Sequence, residues 1–387
     1  MKHTVKKTAV LCALFSAGFS ASAQNIADTQ FKFSGYIKAD AIVTDYSDGS
    51  LPSGSVGRDF YIPSLTPVDG NDEGTQLDAH IRQSRFRITT NSPTSQGDSI
   101  KGVLELDFIV TGGGDERVSN SYTPRIRHAF LEYQDWLIGQ TWSTFMDVSI
   151  LPESLDFVGA ADGVIFNRQT MVRYSKGGFQ VALENPEATI ATDNIGSRET
   201  ADDNVVPDLI GAYKVRKDWG HIKVAGMLRQ LSYDNGMDVD EDEIGYGMAV
   251  SGKLNFVNGD DLRMSFNAGS GMGRYMAVNA ATGVAVNPQK NNQLEAIDSY
   301  GYSIAYRHLW SDKARSSVIF AALEVDNPVA LTGPQATKST YSTRINYLYS
   351  PVSALTFGAE YAFAKREVES GLEGDMNRVQ FSAKYAF

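Results

Sequence analysis

Hydrophobic alternation with a period of two runs through almost the whole chain, and few folds can accommodate it. The last ten residues, RVQFSAKYAF, show it plainly. Val379, Phe381, Ala383, Tyr385 and Phe387 share one face of an extended segment, while Arg378, Gln380, Ser382 and Lys384 share the other. LTFGAEYAFA repeats the scheme with Leu355, Phe357, Ala359, Tyr361 and Phe363 against Thr356, Gly358 and Glu360. FKFSGYIKADA sets Phe31, Phe33, Gly35, Ile37 and Ala39 against Lys32, Ser34, Tyr36, Lys38 and Asp40. A strand sends successive side chains to opposite faces, so each stretch reads as a strand with one apolar and one polar face. Helical periodicity is hard to find anywhere.

Alternation and turn chemistry together mark sixteen candidate strands near 31–43, 79–90, 99–110, 123–133, 136–142, 167–175, 179–185, 206–217, 221–232, 244–256, 261–269, 299–310, 314–325, 338–348, 355–366 and 377–387. Short turns (QD at 134–135, KGG at 176–178, DWG at 218–220, VNGD at 257–260, SDK at 311–313) alternate with long polar excursions over roughly 44–78, 111–122, 143–166, 186–205, 233–243, 270–298, 326–337 and 367–376. Lipid offers no partner to a backbone N–H or C=O, so a membrane-spanning sheet must close on itself. An even strand count, short turns at one end, long loops at the other and a C-terminal Phe predict an all-β, 16-stranded antiparallel transmembrane β-barrel. A soluble sandwich would alternate too, but it explains neither the short/long rhythm of connections nor Tyr and Phe recurring at strand ends on the apolar face. The strands are not a sequence repeat, which disfavours a propeller.

The N-terminus reads as an export leader. Lys2, Lys6 and Lys7 precede the apolar TAVLCALFSAGFS, and ASA at 21–23 supplies the small residues of a cleavage site. The expected division is a signal peptide over 1–23 and one barrel domain over 24–387. Cys12, with Leu11 where a lipoprotein needs a small residue, would leave with the leader, so no disulfide framework is expected. The leader takes three of the 35 basic residues and none of the 46 acids, which makes the rest more acidic still. Nothing after it approaches the ~18 consecutive apolar residues of a membrane helix.

With apolar residues facing lipid, the opposite parity faces the lumen. On that rule the lumen receives Lys32, Lys38, Arg85, Arg87, Arg125, Arg127, Arg173, Lys214, Arg216, Lys223, Arg229, Arg263, Arg307, Arg344, Arg378 and Lys384, against only Asp40, Glu105, Asp107 and Glu360. Most other carboxylates sit in the long loops, as in DNGMDVDEDE at 234–243. Lys32, Lys384, Lys214 and Arg216 lie near the short-turn end, where they are read as neutralising lumenal acids or meeting water. Arg85, Arg87, Arg125, Arg127 and Arg173, with Arg344 as an addition, are the candidate pore-lining residues, because a guanidinium fork binds a carboxylate bidentately and stays charged. Arg82, His128, Glu132 and Arg168 fall on the outward parity. A position above the membrane or a bulge would explain the arginines, and a subunit interface would explain His128 and Glu132.

The third long connection, WSTFMDVSILPESLDFVGAADGVIFNRQ, is apolar enough (Phe145, Ile150, Leu151, Leu155, Phe157, Val158) to need something to pack against. Folded into the barrel, it would bury those residues and leave Asp147, Glu153, Asp156 and Asp162 facing the channel. Acids on the loop opposite arginines on the wall would set up a transverse field that orients solutes by charge. An ordinary external loop is the alternative.

Other classes fit less well. A barrel hydrolase needs His within reach of Ser or Asp, and His80, His128, His221 and His308 sit in no recognisable nucleophile motif. No Cys/His spacing suggests zinc, and neither a cofactor nor a nucleic-acid partner is expected. The acidic DVDEDE at 238–243 could take Ca²⁺ or bridge lipopolysaccharide through divalent cations, with a solvated loop as the plainer reading. TGGGDE at 111–116 lacks the strand–helix context of a phosphate cradle. A structural or adhesive barrel with a closed lumen would fill its interior with apolar or paired side chains, which the excess of arginine contradicts.

RIRHAFLEYQDWLIGQTWSTFMD, followed by LPESLDFVG and RQTMVRYSKGGFQVALENP, resembles the third-loop region of trimeric general porins, and of the DcaP-like porin family in particular. FSGYIKADAIVTDYSDGS with RDFYIPSLTPV resembles that family's first strand and loop, and HIRQSRFRITTNSP its second strand. The resemblance spans essentially the whole mature chain and is densest before residue 190. It implies a homotrimer in the bacterial outer membrane, in contact with lipid and lipopolysaccharide, with an inward-folded third loop. It also implies preference for small anionic solutes such as dicarboxylates. Some members have a helical N-terminal extension, which is not expected here.

Overall fold

The computed structural model describes residues 28–109 and 122–387, so the predicted leader and the TGGGDE segment lie outside the described residues. Sixteen strands form the ring. They are β1 (Gln30–Tyr46), β2 in two pieces (Gln76–His80 and Arg85–Pro93), β3 (Ser99–Asp107), β4 (Arg125–Tyr133), β5 (Trp136–Trp142), β6 (Arg168–Lys176), β7 (Phe179–Glu184), β8 (Asp208–Lys217), β9 (Gly220–Asp234), β10 (Asp240–Asn255), β11 (Asp261–Ser270), β12 (Asp298–Leu309), β13 (Ala314–Asp326), β14 (Thr337–Val352), β15 (Leu355–Val368) and β16 (Glu373–Ala386). Each pairs antiparallel with the next, and β16 returns to β1 through Met376–Ala386 against Tyr36–Tyr46. The sheet therefore has no free edge, and every strand finds its backbone partners within the ring.

Burial is inverted relative to a soluble protein. Along β9 the exposed residues are Ile222, Val224 and Leu228, whereas His221, Lys223 and Arg229 are buried. Arg127, Arg344 and Arg378 are among the largest fully buried side chains of the molecule. Charged groups are rarely interior unless paired, so the ring encloses polar contents within an apolar outer face. Phe387 stacks on that face against Phe33 at 5.5 Å and exchanges two backbone hydrogen bonds with Gly35. Gly35 has no alternative there, since a Cβ would stand 2.1 Å from the Arg85 carbonyl oxygen.

Two irregularities correct the simple alternation. In β4, Glu105 pairs with His128 but Leu106 pairs with Ile126, which makes Arg127 an inserted residue. Such a bulge inverts the parity beyond it. His128 and Glu132, expected outside, therefore share the face of Glu105 and Lys101: His128 is buried at 3.0 Å from the Thr141 hydroxyl, and Glu132 pairs with Lys101 at 2.7 Å. In β2 the break at 81–84 lets the two pieces pair with different stretches of β1. Arg82 lies in this break rather than on a strand, and its guanidinium meets Asp59 at 2.8 Å.

Several excursions expected to be loops are ordered. β9 and β10 pair up to Asp234 and Asp240, so most of DVDEDE is strand. β15 and β16 likewise pair up to Glu367 and Glu373. The connections after β7 and β11 contribute Ala188–Ala191, Arg198–Ala201, Val284–Asn287 and Gln293–Ala296 to a separate four-stranded sheet. Its two halves meet in a parallel pairing of Ile190 with Val284, over a small core that includes Leu231 and Val286.

Candidate functional site

The segment 143–166 packs as an apolar chain must. Phe145, Ile150, Val158 and Ile165 are buried in two clusters that also contain inner-face residues of the sheet, such as Met227 and Ala362, and Leu155 is buried as well. Its polar atoms bond to side chains distributed around the ring. Lys223 donates to the Thr144 and Met146 carbonyls at 2.8 and 2.7 Å, and Lys38 to the Leu155 carbonyl at 2.6 Å. Glu360 accepts from the Ser154 hydroxyl and the Leu155 amide at 2.8 and 2.9 Å. Asn267 reaches the Gly163 carbonyl at 2.9 Å. At Gly163 the segment lies flush against β12, where a Cβ would come within 1.9 Å of the Tyr302 carbonyl oxygen.

Three of the four acids proposed for the channel side of this segment are spent on that anchoring. Asp147 is buried and accepts from Lys214 at 2.8 Å, His221 at 2.7 Å and Ser251 at 3.0 Å. Burial alone would raise its carboxyl, but the bonds and charges of Lys214 and His221 hold it well below the usual carboxylate range. Asp156 accepts the Tyr61 amide at 2.8 Å and lies 3.8 Å from Arg344. Asp162 accepts from the Tyr61 hydroxyl at 2.8 Å and from Ser342. Both are buried, so neither faces open channel. Arg344 itself is 2% exposed, stacked over Tyr61, and belongs to the same anchoring. Glu153 alone stays partly exposed, with both oxygens 2.8 Å from Arg315 Nε and one 3.7 Å from Arg307. Lone pairs and protons inside a low-dielectric ring are costly to leave unpaired, which is why the acids turn toward the wall.

The arginines of β2 to β6 form a different surface. Arg125 grips Asp107 with two bonds of 2.9 Å, and Arg127 bridges Glu105 at 2.8 Å and Asp107 at 2.7 Å. Arg85 and Arg87 approach Glu105 only to 3.5 and 3.6 Å. Arg168 at the start of β6 joins this group. Its guanidinium lies 4.8 Å over Trp142, and its buried Nη1 has no hydrogen-bond partner. Among the described residues, four guanidinium groups thus share Glu105 and Asp107, and Arg168 joins them with no ion pair of its own. The loop meets them with a ring rather than an acid, as Arg125 and Arg127 lie 5.9 and 5.2 Å from the Phe157 centroid. Arg173 stands apart, with a 3.5 Å bond to the Trp142 carbonyl and Glu184 and Glu132 as its charged neighbours.

Next to this wall, on the short-turn side of the segment, a cavity of about 280 Å³ is lined by Tyr36, Lys38, Arg85, Arg315 and Lys384 with Glu153. Arg85 and Lys384 lie 5.2 and 4.7 Å from the Tyr36 ring centre. Arg315 and Arg168 were not among the sequence candidates. Arg315 carried a usable signal, since it shares parity with buried Ser317 and Ile319. Arg168 falls on the outward parity of β6, so alternation pointed it away from the group it joins.

The DcaP outer membrane protein family matches residues 16–387. Among solved structures, the outer membrane channel DcaP of Acinetobacter baumannii superposes with a TM-score of 0.77 at 23% identity, covering 94% of this chain and 99% of its own. An anion-selective porin from Comamonas acidovorans gives 0.56 at 10% identity, covering 93% and 100%. In-vitro folded OmpT of Vibrio cholerae gives 0.53 at 12%, covering 93% and 98%. A search of curated protein sequences found no match.

Proposed function

The chain belongs to the DcaP outer membrane protein family, and from that footing we propose that it is a porin: a passive, non-enzymatic diffusion channel for small hydrophilic solutes that favours anions. The observation that carries the reading is the arginine wall, where, among the described residues, five guanidinium groups are set against two carboxylates and faced by aromatic rings. Inside a closed apolar ring that surplus makes a strong positive potential, which concentrates anions and repels cations. The segment 143–166 is read as folding inward to narrow the passage at this level, which brings solutes within reach of Arg85, Arg87, Arg125, Arg127 and Arg168. Two carboxylates on one solute could engage neighbouring forks at once, so dicarboxylates are the favoured class. A similarly folded porin from Comamonas acidovorans is anion-selective. Export by a cleaved leader over 1–23, assembly as a homotrimer and contact with lipopolysaccharide complete the reading.

Planar bilayers under a KCl gradient test it. The expected result is stepwise conductance with an anion-selective reversal potential. Cation selectivity would overturn the anion pathway, and absence of conductance would overturn the channel itself. Arg85→Ala with Arg87→Ala should weaken current block by succinate several-fold, about 1 kcal/mol or more. Unchanged block would remove these two residues from the path.

A further inference from the structure

On the long-loop side of the segment 143–166 lies a second cavity, of about 220 Å³, that the arginine wall does not reach. Parts of four loops and two strands of the ring enclose it, and Arg198 and Arg366 both line it, with Ser64, Ser197, Thr282 and Gln335 among the polar groups around them. Arg366 sits on β15 in register with buried Ala362, Ala364 and Val368, opposite exposed Tyr361, so it points into the ring and away from lipid.

The two arginines are held by neutral groups. Arg366 donates from Nε to the Thr337 hydroxyl and from Nη1 to the Thr66 carbonyl, both at 3.1 Å. Arg198 spends only Nη2, on the Asn279 and Ala281 carbonyls at 2.8 and 3.0 Å and the Asn279 side chain at 3.2 Å. Among the described residues neither makes an ion pair, and the two lie near enough to repel each other. Nη2 of Arg366 and Nε and Nη1 of Arg198 keep N–H groups to spare. Like charges brought together without a carboxylate cost stability, and a fold carries that cost most readily where a ligand supplies the missing charge.

We propose that this cavity is an outer binding site for small oxyanions, carboxylate or phosphate, through which solutes pass before they reach the arginine wall. Its volume lies below the ~300 Å³ where pockets for drug-sized ligands begin, so it suits solutes of a few carbons. Because Arg366 faces inward, the ligand is a free solute and not a lipopolysaccharide phosphate.

The site deepens the anion-channel reading and can fail separately from it. In single-channel recordings of the refolded protein, succinate or inorganic phosphate is added to one side at a time. Arg198→Gln and Arg366→Gln should each raise the half-blocking concentration at least tenfold from the long-loop side. The anion-selective sign of the KCl reversal potential and the block from the short-turn side should both persist. Arg198→Lys, which keeps the charge but loses the fork, should fall between wild type and Arg198→Gln. Unchanged block in both Gln variants would overturn the outer site while leaving an anion-selective channel. Equal weakening from both sides would overturn it too, since it would show a change of overall field and not of a local site.

Discussion

On the arc from β8 to β14, most inward cations that touch the third loop meet acids. Lys214 and His221 close on Asp147, Arg344 lies between Asp156 and Glu360, and Arg315 holds Glu153. On the arc from β2 to β6, five guanidinium groups have, among the described residues, two carboxylates between them, and they meet Phe157 of the third loop and Trp142 of β5. The same residue types thus do two jobs. Where charges balance, they fix a loop in place. Where they do not, they leave a potential for a solute to feel. Three of the four loop acids serve the first purpose, so in the proposed channel any field across the passage would come from a surplus of arginine and not from acids set opposite it.

The largest test of this division is Asp156→Ala. It removes the acceptor of the Tyr61 amide and leaves Arg344 with one fewer charge, so a loss of about 3–5 kcal/mol in local stability is expected. Proteolysis within 143–166 in the folded barrel would report it, and resistance equal to wild type would show that the balanced arc does not anchor the loop. Next in size is Glu105→Gln with Asp107→Asn. Freeing the five arginines should shift the reversal potential toward chloride, with permeability ratios rising on the order of several-fold. A shift the other way would mean that the arginines depend on these acids for their placement. The smallest effect concerns pH. Asp147 titrates below its unfolded value, so its contribution is complete above ~pH 4, the ordinary carboxylate range, and fades only as pH falls further, through the depressed folded value. Open-channel noise should therefore be the same at pH 7 and pH 5. Noise that rises between those values would assign the anchoring to another group.

The strands were legible because lipid outside and water inside force strict alternation, and the sixteen segments read from it correspond to the sixteen strands of the ring. Where alternation lapses, legibility lapses with it. The consecutive polar residues Arg127 and His128 were the visible trace of the bulge, but only the pairing with Glu105 shows which residue is inserted. The acids of the third loop were identified as a group. Their direction depends on partners as far away as Ser342, 180 residues from Asp162, and Arg344, and no local pattern reports that. The four short strands outside the ring are too brief for periodicity to distinguish from loop.

That small sheet has a consequence for how the protein meets its surroundings. Its parallel pairing joins buried residues near 190 to buried residues near 284, so two connections far apart in sequence form one folded unit with Arg198, Glu199, Thr200 and Gln293 exposed on its outer strands. An antibody or phage adhesin selected on the intact protein would read both connections together. A peptide copied from either one would lack its partner strand and would be a poor mimic, so immunogens drawn from this face should carry both halves.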